Sequence, residues 1–500
     1  MKSIKIKSLV MVGALFVAQG CTEDFEKINT PPTTLSTIDP GLILSKAQKD
    51  AAFSEGYEYP NNQFGSWIQH WAGGVLISSS RYIQQTDDNL WNDHYALIRN
   101  ISQIRTQLLK GRENDPKART KLAIARIVEI SIWQRLTDLF GDVPFSETAL
   151  GVDAVNNQPK FDTQDAIYKK LIQDLDAALS QITPTDDSYG TADYYFKGNI
   201  TQWKKYGNSL KLRLGMRIRY ADAALAQKTV TEAMSQPLLE SNTDNAAVPT
   251  FNDATNANVH PVLNHWLAGS PDLKYLAAPL VAQLVNSKDP RLARLVQPTV
   301  NSVKAGAPAY KGIGVALTDE LLKTIIKDDY STASQTTFFN KAYSPAIACL
   351  AMSYSDVCFY KAEAALESWG ATPDQAEKFY QDGVRAALAQ NPYNITTVPA
   401  DFQKELSFTG LSKDEKLEKI GTQKWIQLFG RSYEAFIEWR RMGYPALKAG
   451  PNLGSTNGQI PRRAIYSSRE TLLNKTNYDE AVKRLANGNS YTSKVWWDKK

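Results

Sequence analysis

The chain has 500 residues, 43% hydrophobic and 22% charged, with 57 basic against 52 acidic side chains and a formal charge of +5. These are the proportions of an ordinary globular protein. The near balance of charge argues against a nucleic-acid binder, which needs a basic excess or stripe. Its four histidines come without HExxH or CxxC spacing, so a zinc site has little support.

The first element is a leader. Lys2, Lys5 and Lys7 precede an apolar run from Leu9 to Val17. A basic stretch followed by roughly 7–15 apolar residues is a secretory signal, too short to span a bilayer comfortably. Gly20 directly before Cys21 fits the lipoprotein variant, although Ala18 stands where the usual lipobox has Leu. There a peptidase cuts ahead of a cysteine already carrying diacylglycerol, and the new amino terminus is acylated. Several acyl chains on one residue anchor stably. Residues 1–20 therefore read as a signal peptide and Cys21 as the lipidation site. Residues 21–40 read as a lipidated tether, because "NTPPTTLSTIDP" is rich in Thr, Pro and Ser. The cluster Glu23, Asp24 and Glu26 resembles the export tag of Bacteroidota surface lipoproteins. Losing the leader removes three lysines and leaves a charge of +2. No later apolar stretch is long enough for a transmembrane helix, so Cys21 is the expected anchor.

Residues 41–500 read as one all-α domain. In "SWIQHWAGGVLISSSRYIQQ", Trp67 and Trp71 fall one helical turn apart, Gly73 and Gly74 break the pattern, and Arg81 and Tyr82 follow in a polar stretch. Trp91 and Tyr95 read as core. "RTKLAIARIVEISIWQRLTDLF" carries Leu122, Ile124, Ile127, Ile130, Trp133, Leu136 and Phe140 at helix spacing, with Gly141 as its stop. "TQDAIYKKLIQDLDAALSQI" has Thr163 placed as its cap, and "QWKKYGNSLKLRLGMRIRYA" gives another helix. "SYSDVCFYKAEAALESWG" and "TPDQAEKFYQDGVRAAL" place Ala364, Gly370, Ala376, Tyr380 and Gly383 near the small and aromatic positions of a tetratricopeptide helix pair. Three stretches lack periodicity and read as long surface loops: "ESNTDNAAVPTFNDATNANVHP", residues 141–161 and residues 450–470. Cys349 and Cys358, nine apart in a helical pattern, would stand ~13.5 Å apart on one helix. A disulfide needs Cα atoms within ~7 Å, so both read as unpaired, buried thiols.

Catalytic motifs are missing. Asp138 and Asp142 in "DLFGDVPF" suggest a carboxylate pair of the glycosidase kind, but Gly141 puts Asp142 outside the helix and a structural role is favoured. His260 and His265 lie in a loop beside Trp266. No GxSxG, Walker loop or Rossmann glycine pattern occurs, no cofactor is implied, and no metal site is expected. Aromatics make up 10% of the chain, including 11 Trp and 23 Tyr, a surplus suited to carbohydrate stacking or peptide capture. Binding is favoured over catalysis.

"EKIGTQKWIQLFGRSYEAFIEWRRMGYPAL", residues 418–447, resembles a hallmark of the SusD/RagB family of Bacteroidota surface lipoproteins. The matching positions are Ile420, Gln423, Lys424, Trp425, Gly430, Arg440, Arg441, Gly443, Tyr444 and Pro445. A second family element matches Ile460, Pro461, Arg462, Arg463, Tyr466, Glu470, Asn474, Asn477, Tyr478 and Ala481, and "KVWWD" closes the set. "RLTDLFGDVPF" and "YSDVCFYKAEAAL" look like the family's helix-end and tetratricopeptide segments. At helical spacing Trp425, Phe429, Phe436 and Trp439 should pack inward. Arg440 and Arg441 should satisfy helix-end carbonyls and neighbouring carboxylates.

The resemblance implies a SusD-like fold, with tetratricopeptide-type helix pairs and long irregular loops. It implies a lipid-anchored protein on the extracellular face of the outer membrane, which captures an oligosaccharide or a peptide and delivers it to a SusC-like TonB-dependent transporter. A glycoside hydrolase or peptidase of the same surface apparatus, and a tetratricopeptide scaffold that holds no nutrient, stay open as alternatives. Binding aromatics in the family come from early and middle loops, which nominates Trp71, Arg81, Tyr82 and Trp266 as ligand contacts.

Overall fold

Apolar residues at helical spacing become helices that pack side by side. The computed structural model describes residues 38–72, 78–151, 154–251, 259–261, 275–334, 337 and 347–500. The chain divides into a unit Met1–Asp39 and a unit Pro40–Lys500, and the described helices and strands belong to the second. Its main helices are α1 (Pro40–Phe53), α2 (Glu58–Trp67), α3 (Asp88–Gln103), α4 (Arg119–Phe140), α5 (Gln164–Gln181), α6 (Ile200–Arg217), α7 (Ala223–Met234), α8 (Tyr354–Leu366), α9 (Ala376–Ala389), α10 (Lys413–Gln427) and α11 (Ser432–Met442). Successive helices pair, α4 with α5, α6 with α7 and α8 with α9, while α11 crosses back onto α2. Among the described residues no helix is long and apolar enough to cross a membrane.

Helix α4 runs the length its sequence predicts. The seven apolar residues of its stripe are buried, and Gly141 ends it at φ +86°, a backbone that glycine enters without a Cβ clash. Thr163 stands at the N-cap of α5, but its hydroxyl caps no backbone group. The Gln164 N–H donates instead to Asp142 Oδ1 at 2.9 Å. In the α8–α9 pair, a Cβ on Gly383 would meet Cys358 and Phe359 at 3.1 Å, so the missing side chain sets how closely the helices approach. Ala364 and Ala376 are buried, and Tyr380 stacks on Phe408 with centroids 4.8 Å apart.

Among the described residues three small antiparallel ribbons accompany the helices. Strand β1 (Val143–Pro144) pairs with β2 (Phe161–Asp162), β3 (Ala246–Val248) with β6 (Cys349–Met352), and β4 (Val296–Gln297) with β5 (Thr332–Ala333). Residues 141–161, predicted as surface loop, contribute β1 and Phe161 of β2, with Val143, Pro144 and Phe161 buried, and two further expectations change here. The polar stretch predicted as loop contributes β3, with Val248 opposite Cys349. Cys349 and Cys358 do not share a helix: the first starts β6, and a reciprocal Ser353–Asp356 box starts α8 only after the strand ends. Both thiols are free and buried.

Another change concerns residues 450–470, whose second half is not surface loop. Ile460, Arg463, Ala464, Ile465 and Tyr466 are buried. The Ala464 N–H donates to the Leu139 carbonyl at 2.9 Å, and Arg463 Nη2 to the Phe140 carbonyl at 2.8 Å. The segment thereby satisfies the last carbonyls of α4, which an α-helix leaves without intrahelical partners.

The centre of the molecule is charged. Arg217 at the end of α6 is fully buried. Its Nη2 donates to Glu434 Oε1 at 2.8 Å, and it forms ion pairs with Glu438 at 2.9 Å and Asp138 at 3.4 Å. Arg441 bridges Glu363 and Glu438, both at 2.6 Å, and Tyr360 donates to Glu438 at 3.0 Å. Arg440 donates to the carbonyls of Arg462 and Asp138, each at 2.6 Å. Asp138 accepts from Tyr168 and from Trp497 Nε1, the latter at 2.7 Å. Burial pushes its carboxyl up to about 6 against the pull of Arg217. Asp138 is thus a core hub and Asp142 a helix cap, which dissolves them as a catalytic pair.

Candidate ligand-binding site

Two helix ends and a strand start meet around one cavity of about 90 Å³. Ala52, on α1, and Glu55 and Gly56, after it, line one side, Gln427 to Arg431 join α10 to α11, and Ile347 to Leu350 lead into β6; Trp71, His260, Gln390, Asn391, Pro392 and Tyr393 complete the wall. Trp71 is held there by its backbone. The chain leaves α2, turns at Gln69 with φ +58°, and pairs Trp71 with Leu276 in an isolated bridge flanked by Ala72 N–H to Tyr275 O at 3.0 Å. Gly65 makes room for the indole, since a Cβ there would stand 2.7 Å from Trp71 Cδ1. The indole lies over Phe429, with centroids 4.6 Å apart and planes tilted by 39°.

The polar groups of the cavity are incompletely used. Trp71 Nε1, Gln427 Oε1 and Arg431 Nε are buried and have no hydrogen-bond partner among the described residues. A buried polar atom without a partner costs about 1–3 kcal/mol, so these lining residues keep two donors and an acceptor available to a ligand or ordered water. Their carriers are fixed from behind: Arg431 Nη1 donates to Asp356 at 2.8 Å, and Gln427 Nε2 donates to the Ser353 hydroxyl at 3.2 Å. Burial holds His260 neutral, lowering it to about 4. Glu55 is the one carboxylate among these lining residues, and its Oε2 accepts from the Tyr433 N–H at 3.0 Å.

The residues nominated from sequence are not all gathered here. Trp71 lines the cavity, though only 1% exposed. Arg81 is committed to Asp319, with Nη2 2.6 Å from its carboxylate. Tyr82 is 0% exposed at φ +55°, and burial pushes its phenol up to about 12. Its carbonyl accepts from Ser455 N–H at 3.1 Å, so the 450–456 segment packs over it and its ring offers no face to a ligand in this conformation. Neither Arg81 nor Tyr82 lines the cavity. Trp266, His265 and Cys21 lie outside the described residues. Trp67 is core, against Phe64, Phe436 and Tyr491. Trp91 is buried, and Tyr95 donates to the Pro144 carbonyl at 2.8 Å. Trp425, Phe436 and Trp439 pack inward as their spacing predicts, whereas half-buried Phe429 turns to the cavity. Gln427, Phe429 and Arg431 therefore belong to the site although they sit in the stretch read as scaffold. The one local signal is Gly430, which breaks the helix between them at φ +83°.

A family model described as "Starch-binding associating with outer membrane" matches residues 32–467, and the chain belongs to this SusD-like family of outer-membrane-associated surface proteins. The class so defined is a nutrient-binding surface protein. Among solved structures the chain is similar to a chitin-binding protein, 28% identical, with a TM-score of 0.78, over 92% of this chain and 100% of that one. It is also similar to a SusD-like protein of Bacteroidetes AC2a, 23% identical, with a TM-score of 0.77 over 93% and 100%. A SusD homologue from Bacteroides fragilis NCTC 9343, 20% identical, gives a TM-score of 0.77 over 92% and 100%. The last two likenesses show the fold, and with it the all-α class. A search of curated proteins finds no match.

Proposed function

We propose that this chain is a lipid-anchored surface receptor that captures an oligosaccharide or a peptide and delivers it, uncut, to a SusC-like TonB-dependent outer-membrane transporter. The observation that carries this reading is the family match over residues 32–467; the cavity of about 90 Å³, room for one edge of a ligand, adds the Trp71–Phe429 ring pair beside unpartnered Trp71 Nε1, Gln427 Oε1 and Arg431 Nε. Rings take the C–H face of a sugar or an apolar side chain, and the polar atoms take hydroxyls or amides. Glycoside hydrolysis commonly uses two carboxyl groups about the scissile bond, and among the described residues Glu55 is the one carboxylate that lines the cavity. A scaffold without a nutrient needs no such cavity. The chitin-binding neighbour favours a glycan over a peptide. Of the nominated residues Trp71, 1% exposed, backs the half-buried Phe429 ring that we place against the ligand, and Arg81 and Tyr82 brace the adjoining loop. Trp266, in the middle loop from which the family draws binding aromatics, is the second platform in this reading.

Two experiments test it. Calorimetry with chitin oligosaccharides and with peptides should show binding that Phe429→Ala weakens roughly 5- to 150-fold, by analogy with a lost base-stacking contact. Trp71→Phe keeps a ring and removes one donor, and should weaken binding about 2- to 12-fold, the worth of one hydrogen bond. Wild-type affinity in both folded variants would remove the cavity from the reading. The second experiment is isolation from native membranes in mild detergent, which should bring down a large TonB-dependent barrel with the chain. Cys21→Ser should fold but leave the membrane in a carbonate wash. A lone monomer in the first preparation sinks the transporter, and a retained Cys21→Ser protein sinks the anchor.

A further inference from the structure

On the other side of the turn Ser54–Gly56 lies a second and larger concavity. Its volume is about 750 Å³, within the roughly 300–1,000 Å³ of ligand pockets generally. Helix α1 supplies one wall through Asp50, which is already held by Lys46 at 2.5 Å. Tyr57, just past the turn, stands 49% exposed at its mouth. Helix α3 supplies another wall, where Asn89 and Asp93 are exposed and Asn100 is half-buried.

The lining also includes two buried, neutral hydrogen-bonding groups. His94 is 2% exposed, and its Nδ1 lies 2.8 Å from the Leu90 carbonyl. A carbonyl only accepts, so Nδ1 carries the proton and Nε2 is left as an acceptor. That Nε2 is buried and has no partner among the described residues. Burial keeps the ring uncharged, lowering it to about 3. Asp87, 4% exposed, accepts from Gln63 Nε2 at 3.0 Å, and burial raises it to about 8, so it is a neutral carboxyl at pH 7.

We infer that this groove is a second carbohydrate site, built for an uncharged, hydroxyl-rich stretch of glycan. The Tyr57 ring offers a flat face to the C–H side of a sugar. Sugar hydroxyls both donate and accept, which serves the acceptor His94 Nε2, the carboxylate of Asp93 and the amides of Asn89 and Asn100 together. A phosphate or other anion would face the carboxylates of Asp88 and Asp93. A metal ion has no suitable set of His, Cys, Asp or Glu among the described residues. The assignment does not depend on the Trp71 cavity, because the two sets of lining residues share no member.

The test uses the full chain in a detergent without a sugar head group, titrated calorimetrically with chitohexaose, maltohexaose and a tri-lysine peptide. A hexasaccharide should bind, and Tyr57→Ala should weaken it roughly 5- to 150-fold or remove one of two binding events. Asn89→Ala, on an exposed position, should act in the same direction. Phe429→Ala should leave the Tyr57-dependent event in place. The proposal is overturned if both groove variants bind the hexasaccharides as the wild type does, if no hexasaccharide binds, or if the groove variants lose only the tri-lysine peptide. Sensitivity at Phe429 with indifference at Tyr57 would sink the groove and leave the cavity standing.

Discussion

Arg217→Met should lower stability by about 3–5 kcal/mol at neutral pH, the usual effect of removing one partner from a buried ion pair. Methionine keeps most of the volume, so the loss reports charge more than packing. Without the guanidinium, Glu434, Glu438 and Asp138 lose a shared cation at 2.8, 2.9 and 3.4 Å in a site closed to water. Arg441 and Lys424 still neutralise Glu438, at 2.6 and 2.8 Å, but neither is paired with Glu434. The pH dependence supplies a second check. Burial by itself would raise the Glu434 carboxyl, yet Arg217 and Arg213 override it and hold the group at about 2. A carboxyl depressed in the folded state contributes stability above its unfolded value of 4.5, and that stability drains as pH falls toward 2. Wild type should therefore weaken steeply from pH 4.5 to 2, and Arg217→Met should show a shallower slope there. Urea denaturation at pH 3, 5 and 7 measures both. A loss under 1 kcal/mol at pH 7 would mean that the remaining cations suffice.

Asp87→Asn should stabilise the protein, and increasingly so as the solution becomes alkaline. Burial, and then the neighbouring Asp88 charge, lifts the Asp87 carboxyl from 3.8 to about 8. The sign is opposite to that of Glu434. The folded chain keeps a proton that the unfolded chain releases, so stability falls as pH rises between these two values, by about 1.4 kcal/mol per unit. Asparagine cannot ionise, and its carbonyl oxygen can still accept from Gln63 Nε2. From pH 5 to 8 the variant should gain about 3–4 kcal/mol on the wild type. Asp138, raised to about 6, adds a smaller decline of the same sign to both proteins. Parallel profiles across this range would show that Asp87 ionises in the folded protein as it does in water.

What the sequence reveals depends on how local the cause is. Helix α4 is legible to its last residue because its stripe and its glycine stop lie in one stretch. Thr163 is legible as an N-cap position, but the group that takes the Gln164 N–H is Asp142, brought in by the chain reversal at Gly141. Cys349 misleads because Ser353 starts α8 only after a strand, and the strand's partner lies about a hundred residues earlier. Arg462 and Arg463 look like surface residues; their partners, Asp498 and the carbonyl of Phe140, come from elsewhere in the chain. The candidate site follows the same logic. Trp71 announces itself as an aromatic next to a glycine break, whereas Gln427 and Arg431 gain their meaning only from neighbours on α8 and β6. Tyr82 shows the reverse case, a promising loop aromatic that the 450–456 segment covers.

The crossing of α2 and α11 has a consequence for the order in which the chain matures. Helix pairs such as α4–α5 and α8–α9 join close neighbours in sequence and can form early. At the crossing, the Ser432 hydroxyl donates to Asn61 and the Tyr433 N–H to Glu55, across separations of 371 and 378 residues. Contacts this remote are slow to find, because the intervening loop must first be closed. The cavity draws its walls from both sides of this crossing, so it comes into being only when this long-range closure is made. A partly folded chain would hold most of its helices and yet lack this cavity.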